Sequence, residues 1–303
     1  MMDSCQARQK HGLQPAWPGI PNAHRERVTA LYAISDVRVR MKAFRLLHMV
    51  ARRGNAREFP DNTLAALRSA LELGARFIEL DVHVSSDGMP MVVYDRQLAR
   101  LADFENLQGE RLASLDVGQP ERFGDRFRGT LIPSLAATLG LLEGRPEITA
   151  FITIGQACVR RFGREHVISR IIRTLKPVRS RCVLGSADLA TIHTARNMAG
   201  YPIAWVLPAY DDHTRLKYEA LQPNYLFCDR ALLPAEGALW RGPWRWVIYE
   251  VDTLETVLSL AGRGAHFVAT KDVRTLSEAM RNHAAAEIAA RSDQTFTGTI
   301  TRW

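Results

Sequence analysis

Glu79, Asp81 and His83 occupy every second position of the run Phe77-Ile78-Glu79-Leu80-Asp81-Val82-His83-Val84. In an extended strand this spacing places the three on one face, with Ile78, Leu80, Val82 and Val84 on the other. Two carboxylates and an imidazole on one face are the raw material for a divalent-cation site or for acid–base work. Carboxylates turned into an interior cannot stay as bare charges and require a cation, hydrogen bonds or water. A divalent metal and an arginine are the two candidates, and Arg52 and Arg53 close the preceding apolar run. The competing placement, an edge strand with this face in solvent, fits the apolar flanks poorly.

The elements that would position these residues form a regular series. Short runs rich in Val, Ile and Leu at 46–51, 76–82, 148–154, 181–185, 202–206, 224–228, 245–250 and 266–270 predict strands. Segments with three- and four-residue apolar spacing at 62–73, 134–143, 160–175, 187–198, 214–220, 231–239, 253–262 and 274–290 predict helices, the sixth interrupted by Pro234 and Gly237. Eight such units in alternation predict a single-domain (β/α)8 TIM barrel over 44–290, with one barrel face carrying any site. Residues 1–40, which precede Met41-Lys42, are expected to be a poorly ordered extension or an upstream start, and 291–303 a tail. The stretch from Asp95 to Thr130 is too long for a plain connection and is expected to be an insertion over the barrel mouth.

Composition narrows the classes. The 303 residues are 47% hydrophobic and 24% charged, as in ordinary globular chains rather than disordered or fibrous ones. No apolar run approaches the length of a membrane-spanning helix. The net charge of +8 favours an anionic partner. Cys5, Cys158, Cys182 and Cys228 lie far apart with no Cys-x-x-Cys pair, which predicts neither a disulfide framework nor a zinc site and points to a reducing, cytoplasmic setting. The arginines of 160–181 are expected to face water, with no nucleic-acid motif beside them. Trp240, Trp244, Trp246 and Tyr249 are expected to be core packing.

The flanks of the acidic strand carry an ordered series: Arg52-Arg53-Gly54, Pro60-Asp61-Asn62-Thr63, Leu71-Glu72-Leu73-Gly74-Ala75, Glu79-Leu80-Asp81-Val82, Asp87-Gly88 and Val92-Val93-Tyr94-Asp95. This series resembles the glycerophosphodiester phosphodiesterase family. Fainter echoes run on through Leu98 with Arg100, Leu115-Asp116 with Gly118, Ile132-Pro133-Ser134-Leu135, Ser186, Tyr249 and Thr270. The resemblance implies a TIM barrel, a divalent cation at the strand ends and hydrolysis of a glycerophosphodiester to an alcohol and glycerol phosphate. It also implies a histidine at each of positions 52 and 94 for acid–base work, and a third acidic ligand beside Glu79 and Asp81.

Here position 52 is Arg52, position 94 is Tyr94, and the third acidic position is Thr153, with Gly155 where the family has a lysine. A guanidinium stays protonated at any physiological pH and cannot serve as a base. Tyr94 could donate a proton but has a reference pKa near 10. Each positioned acid or base is worth on the order of 10²–10⁴ in rate, so turnover is expected to be lost or severely impaired. Two carboxylates are a thin set for Mg²⁺ or Ca²⁺. Adjacent strands lie about 4.8 Å apart, so Arg52 should reach Glu79 or Asp81; at about 5 Å and an effective dielectric near 20 it would repel a divalent cation by roughly 6 kcal/mol.

The sequence therefore predicts a phosphodiesterase-like barrel in which Arg52 takes the metal's place, with Glu79 and Asp81 as a vestigial metal site and no resident cofactor. Arg53 and Arg52, aided by Arg57 and Arg100, would bind a small anion such as a phosphodiester. The alternatives are an active metal-dependent diesterase using Glu79 and Asp81 with Tyr94 or His83, and an interaction protein with a basic surface. His48 is expected to pack at the barrel bottom.

Overall fold

The computed structural model describes residues 44, 46–94, 98 and 106–296. Residues 1–40 and the tail beyond 296, together with Cys5, Asp95 and Arg100, lie outside the described residues. Nine strands follow in chain order: β1 (His48–Arg52), β2 (Phe77–Val84), β3 (Pro90–Val92), β4 (Thr149–Ile154), β5 (Cys182–Ser186), β6 (Ile203–Val206), β7 (Tyr225–Asp229), β8 (Arg245–Tyr249) and β9 (Phe267–Thr270). All but β3 pair in parallel in the order β1-β9-β8-β7-β6-β5-β4-β2, and pairing of β2 with β1 closes them into a barrel. The fold is the (β/α)8 barrel expected from the alternation. The third strand lies outside that ring as an antiparallel partner of β2, Val82 opposite Val92.

Strand sides follow from the two-residue period. Val50, Phe151, Val183, Ala204, Phe227, Val247, Phe267 and Ala269 fill the barrel interior, while Ile78, Leu80, Val82, Ile152 and Leu184 pack outward among the helices. With both faces covered, the strands read as nearly continuous apolar runs. Glu79 and Asp81 share the interior parity of Phe77, above the packed layer. Direct register partners Arg52 with Glu79, and Asp81 with Thr153, bring those pairs to the carboxyl ends of their strands, the end at which barrels carry their sites.

The helices begin where side-chain caps allow. Thr63 caps α1 (Leu64–Glu72), Ser134 caps α4 (Leu135–Leu139) and Asp188 caps α7 (Leu189–Ala199), each accepting from a backbone N–H three residues on. Between β3 and α4 the insertion supplies α2 (Gly109–Ala113), α3 (Pro120–Phe123) and a 3₁₀ turn (Gly124–Phe127). Leu112 and Ile132 root it in a small apolar cluster with Met91, Val93 and Leu98.

Three expected boundaries change. The predicted helix over 160–175 is two, α5 (Gln156–Phe162) and α6 (Arg164–Leu175), because Gly163 at φ 81° breaks the helical path. The expected helix at 231–239 is a single 3₁₀ turn, Arg230–Leu232. Pro234 and Gly237 (φ 95°) disfavour a helix there, and their carbonyls instead accept from Arg263 at 2.8 and 2.7 Å. Beyond α8 (Asp212–Leu221) and α9 (Leu254–Arg263), the final helix α10 (Val273–Phe296) runs past residue 290. The tryptophans pack as core: Trp240 stacks on Tyr210 at 3.7 Å between centroids, and Trp244 meets Tyr218 at 4.3 Å. Among the described residues, no helix is long and apolar enough to cross a membrane.

Candidate functional site

The turn from β1 into α1 is folded tightly against β2. Arg53 adopts φ 61° and Gly54 φ 83°. A Cβ on Gly54 would come within 2.5 Å of the Ala66 carbonyl carbon, so both backbone angle and space demand glycine. The Arg53 N–H donates to the Glu79 carbonyl at 3.1 Å, and the Asn62 N–H donates to the Arg53 carbonyl at 3.0 Å. Asn62 is itself left-handed, φ 62°, a conformation asparagine tolerates better than most residues.

This turn sets two guanidiniums over two carboxylates. Arg52 Nε stands 3.3 Å from Glu79 Oε2, and Arg53 Nε donates to Asp81 Oδ2 at 2.6 Å. Asn62 Nδ2 donates to the same Asp81 oxygen at 3.0 Å, while the Asp81 N–H donates to Asn62 Oδ1 at 3.3 Å. Thr153 Oγ1 donates to Glu79 Oε1 at 3.2 Å. Each guanidinium also lies on an aromatic ring, Arg52 over Tyr249 at 4.4 Å and Arg53 over Tyr94 at 4.0 Å.

Two further carboxylates complete the rim. Glu250, left-handed at φ 59°, accepts from Arg52 Nη1 and lies 3.3 Å from Lys271 Nζ. Asp61 faces Arg53 Nη1 at 3.4 Å through one oxygen and accepts from Arg122 Nη1 at 2.6 Å through the other. Arg122, on α3 of the insertion, also donates to the Ala56 carbonyl. The insertion thus reaches the mouth through a named contact, as its length suggested.

Burial governs the electrostatics. It pushes the Glu79 carboxyl upward, with Asp81 adding to the rise and Arg52 and Arg53 opposing it. For Arg53, burial disfavours the charge, but Asp81, Glu79 and Asp61 outweigh it and hold the guanidinium firmly protonated. Burial also raises Glu250, yet Arg52 and Lys271 prevail and leave it below the usual carboxylate range. The Tyr249 hydroxyl is pushed up to about 12, chiefly by burial. Among the described residues, four cations (Arg52, Arg53, Arg122, Lys271) pair with four carboxylates (Glu79, Asp81, Asp61, Glu250) across the mouth.

These residues do not fit a hard divalent cation. Such an ion needs six or more oxygen ligands with several carboxylates among them, and here both inward carboxylates already carry a guanidinium. Among the described residues, no three His, Cys, Asp or Glu side chains gather to hold a metal ion. Thr153 approaches Glu79 as a donor rather than completing an acidic set.

The structure thus brings together Arg52, Arg53, Glu79, Asp81, Thr153 and Tyr94. His83 lies on the same strand face and is fully buried, two residues beyond Asp81. Arg57 is exposed, its N–H bonded to the Lys271 carbonyl at 2.8 Å. His48 sits at the opposite end of the barrel, its ring 5.2 Å from Phe77 and 5.3 Å from Phe267. Sequence reasoning passed over Asp61 and Asn62 as site residues although both stand in the Pro-Asp-Asn-Thr series. It missed Glu250, Lys271 and Arg122 altogether; the first two carry the signal of lying one residue past a strand end, and Arg122 carries none.

The profile of the glycerophosphoryl diester phosphodiesterase family matches residues 53–275. A glycerophosphodiester phosphodiesterase of Caldanaerobacter subterraneus is 29% identical over 250 residues, covering 77% of this chain and 97% of that protein. Human glycerophosphodiester phosphodiesterase 1 is 34% identical over 90 residues, 28% of this chain and 27% of that protein. Among solved structures, an Oleispira antarctica phosphodiesterase in complex with the product sn-glycerol-3-phosphate superposes with a TM-score of 0.65 at 18% identity, covering 77% of this chain and 96% of that one. A Silicibacter pomeroyi structure described as a glycerophosphoryl diester phosphodiesterase gives 0.64 at 17% identity, with 78% and 94% covered.

Proposed function

This chain belongs to the glycerophosphoryl diester phosphodiesterase family, and from that premise we propose that it is a non-hydrolytic member whose mouth binds a small phosphate-bearing anion. The observation that carries the proposal is the seating of Arg52 on Glu79 and of Arg53 on Asp81. A fixed guanidinium on each inward carboxylate occupies the place a divalent cation would need and repels one. Arg52 and Tyr94 stand where the family resemblance implies acid–base histidines. Arg52 cannot take up a proton, and the Tyr94 ring lies against the Arg53 guanidinium.

What remains favours recognition over turnover. Arg52, Arg53, Arg122 and Lys271 line one rim, and planar guanidiniums present several donors to phosphate oxygens. The Oleispira relative holds a glycerol phosphate, and this chain's ligand would come from the same chemistry, in keeping with a role in lipid metabolism. Cys182 and Cys228 are buried thiols pushed up to about 12 by burial, which accords with a reducing cytoplasmic setting.

The test is turnover of glycerophosphocholine, glycerophosphoethanolamine and a chromogenic phosphodiester by the purified chain, with and without Mg²⁺ or Ca²⁺. No product above the blank is expected. Metal-dependent turnover that Glu79→Ala abolishes overturns the proposal. Activity gained by Arg52→His, Tyr94→His and Thr153→Glu together supports it.

A further inference from the structure

Asp61 is a buried carboxylate held at both oxygens by guanidiniums of different origin. Arg53 belongs to the barrel turn, and Nη1 lies 3.4 Å from Oδ2; Arg122 belongs to the insertion, and Nη1 lies 2.6 Å from Oδ1. The two partners differ in how firmly they are fixed. Arg53 is also bonded to Asp81, stacked on Tyr94 and mostly buried. Arg122 donates also to the Ala56 carbonyl and to Gln119 Oε1, but it is about one-third exposed, at 36%, and sits on a four-residue helix that buries none of its residues, followed by a 3₁₀ turn that also buries none. Contacts of this segment back to the barrel include Arg122 itself and the pairing of Phe127 and Arg126 with Phe59, at 5.5 and 5.9 Å.

We propose that Arg122 is the specificity-determining residue of the anion site: it rests on Asp61 in the absence of ligand and transfers its guanidinium to a phosphate that carries two negative charges. This rests on the anion-binding function proposed above. The chemistry favours a phosphate monoester over a diester. A diester carries one charge and offers Arg122 no more than the carboxylate it must leave. A monoester carries about −1.5 to −2 at neutral pH and three terminal oxygens, so it gains from recruiting a second guanidinium beside Arg53. The ion pairs of the rim work the same way, since each of these four cations already meets a carboxylate and a double charge gains most by drawing one off its partner.

Calorimetric titrations of the full chain at pH 8 with glycerol 3-phosphate, sulfate and dimethyl phosphate test this. The two dianions are expected to bind at least tenfold tighter than dimethyl phosphate. Arg122→Ala should cut that tenfold preference to below threefold, weakening glycerol 3-phosphate and sulfate binding far more than dimethyl phosphate binding. Asp61→Asn, which keeps the side-chain shape and removes the competing charge, should tighten dianion binding severalfold. Dianion preference unchanged in Arg122→Ala, or dianion binding weakened by Asp61→Asn in a folded variant, overturns the role of Arg122 and leaves the anion-binding mouth standing. Failure of all three anions to bind the unmodified chain overturns both.

Discussion

Arg52 and Glu79 are direct register partners across β1 and β2, and their side chains meet with Nε 3.3 Å from Oε2 inside the rim of the barrel. The carboxylate is buried and its partner is 14% exposed along the side chain. Breaking such a pair from one side strands a charge away from water, whereas removing both charges need not cost much. Arg52→Ala is therefore expected to destabilise the fold by about 3–5 kcal/mol. Pairing it with Glu79→Gln should recover most of that loss. Chemical denaturation of the two single variants and the double variant measures the coupling, and additive losses would remove the ion pair from the account.

Glu79 also dictates a pH dependence. Its folded-state carboxyl is raised above the unfolded value, mainly by burial. A group of this kind contributes most below its unfolded pKa, and the contribution is lost as pH rises through the folded one. Unfolding free energy measured across pH should thus fall more steeply with rising pH in the unmodified chain than in Glu79→Gln, in the window just above the ordinary glutamate pKa. At the acid end the two should converge in slope, because Glu250, Asp188 and Asp116, all lowered, lose stability there in both.

Asn62 joins backbone and charge. It holds a left-handed conformation and bonds both the side chain and the backbone N–H of Asp81. Asn62→Gly should cost about 1.5–3 kcal/mol, the worth of a hydrogen bond to a charged group. Asn62→Ala should cost about 1–2 kcal/mol more, since it adds the left-handed backbone penalty. Thermal melting ranks the variants, and equal losses would mean the backbone angle carries no strain.

How far the sequence foretold this site depends on the range of each interaction. The parity of Glu79, Asp81 and Phe77 needs only the two-residue period of a strand, and it places both carboxylates inside. The meeting of Arg52 with Glu79 needs only that their strands neighbour each other, which the alternation of a (β/α)8 barrel supplied. Ser134 announced its helix by a local cap. Glu250, Lys271 and Arg122 reach the mouth from the far side of a closed barrel and from an insertion, where no local periodicity fixes direction. The missing helix after β7 shows the same limit: apolar spacing over 231–239 suggested a helix, while Pro234, Gly237 and the reach of Arg263 to their carbonyls decided otherwise.

The central claim is that two guanidiniums stand where a divalent cation would have to sit. Isothermal titration of Mg²⁺ and Ca²⁺ into the purified chain, read beside the melting temperature at saturating ion, tests it most directly. The account predicts no saturable heat and no shift in melting temperature for either ion. A stabilising site of micromolar affinity, lost in Glu79→Ala, would contradict it.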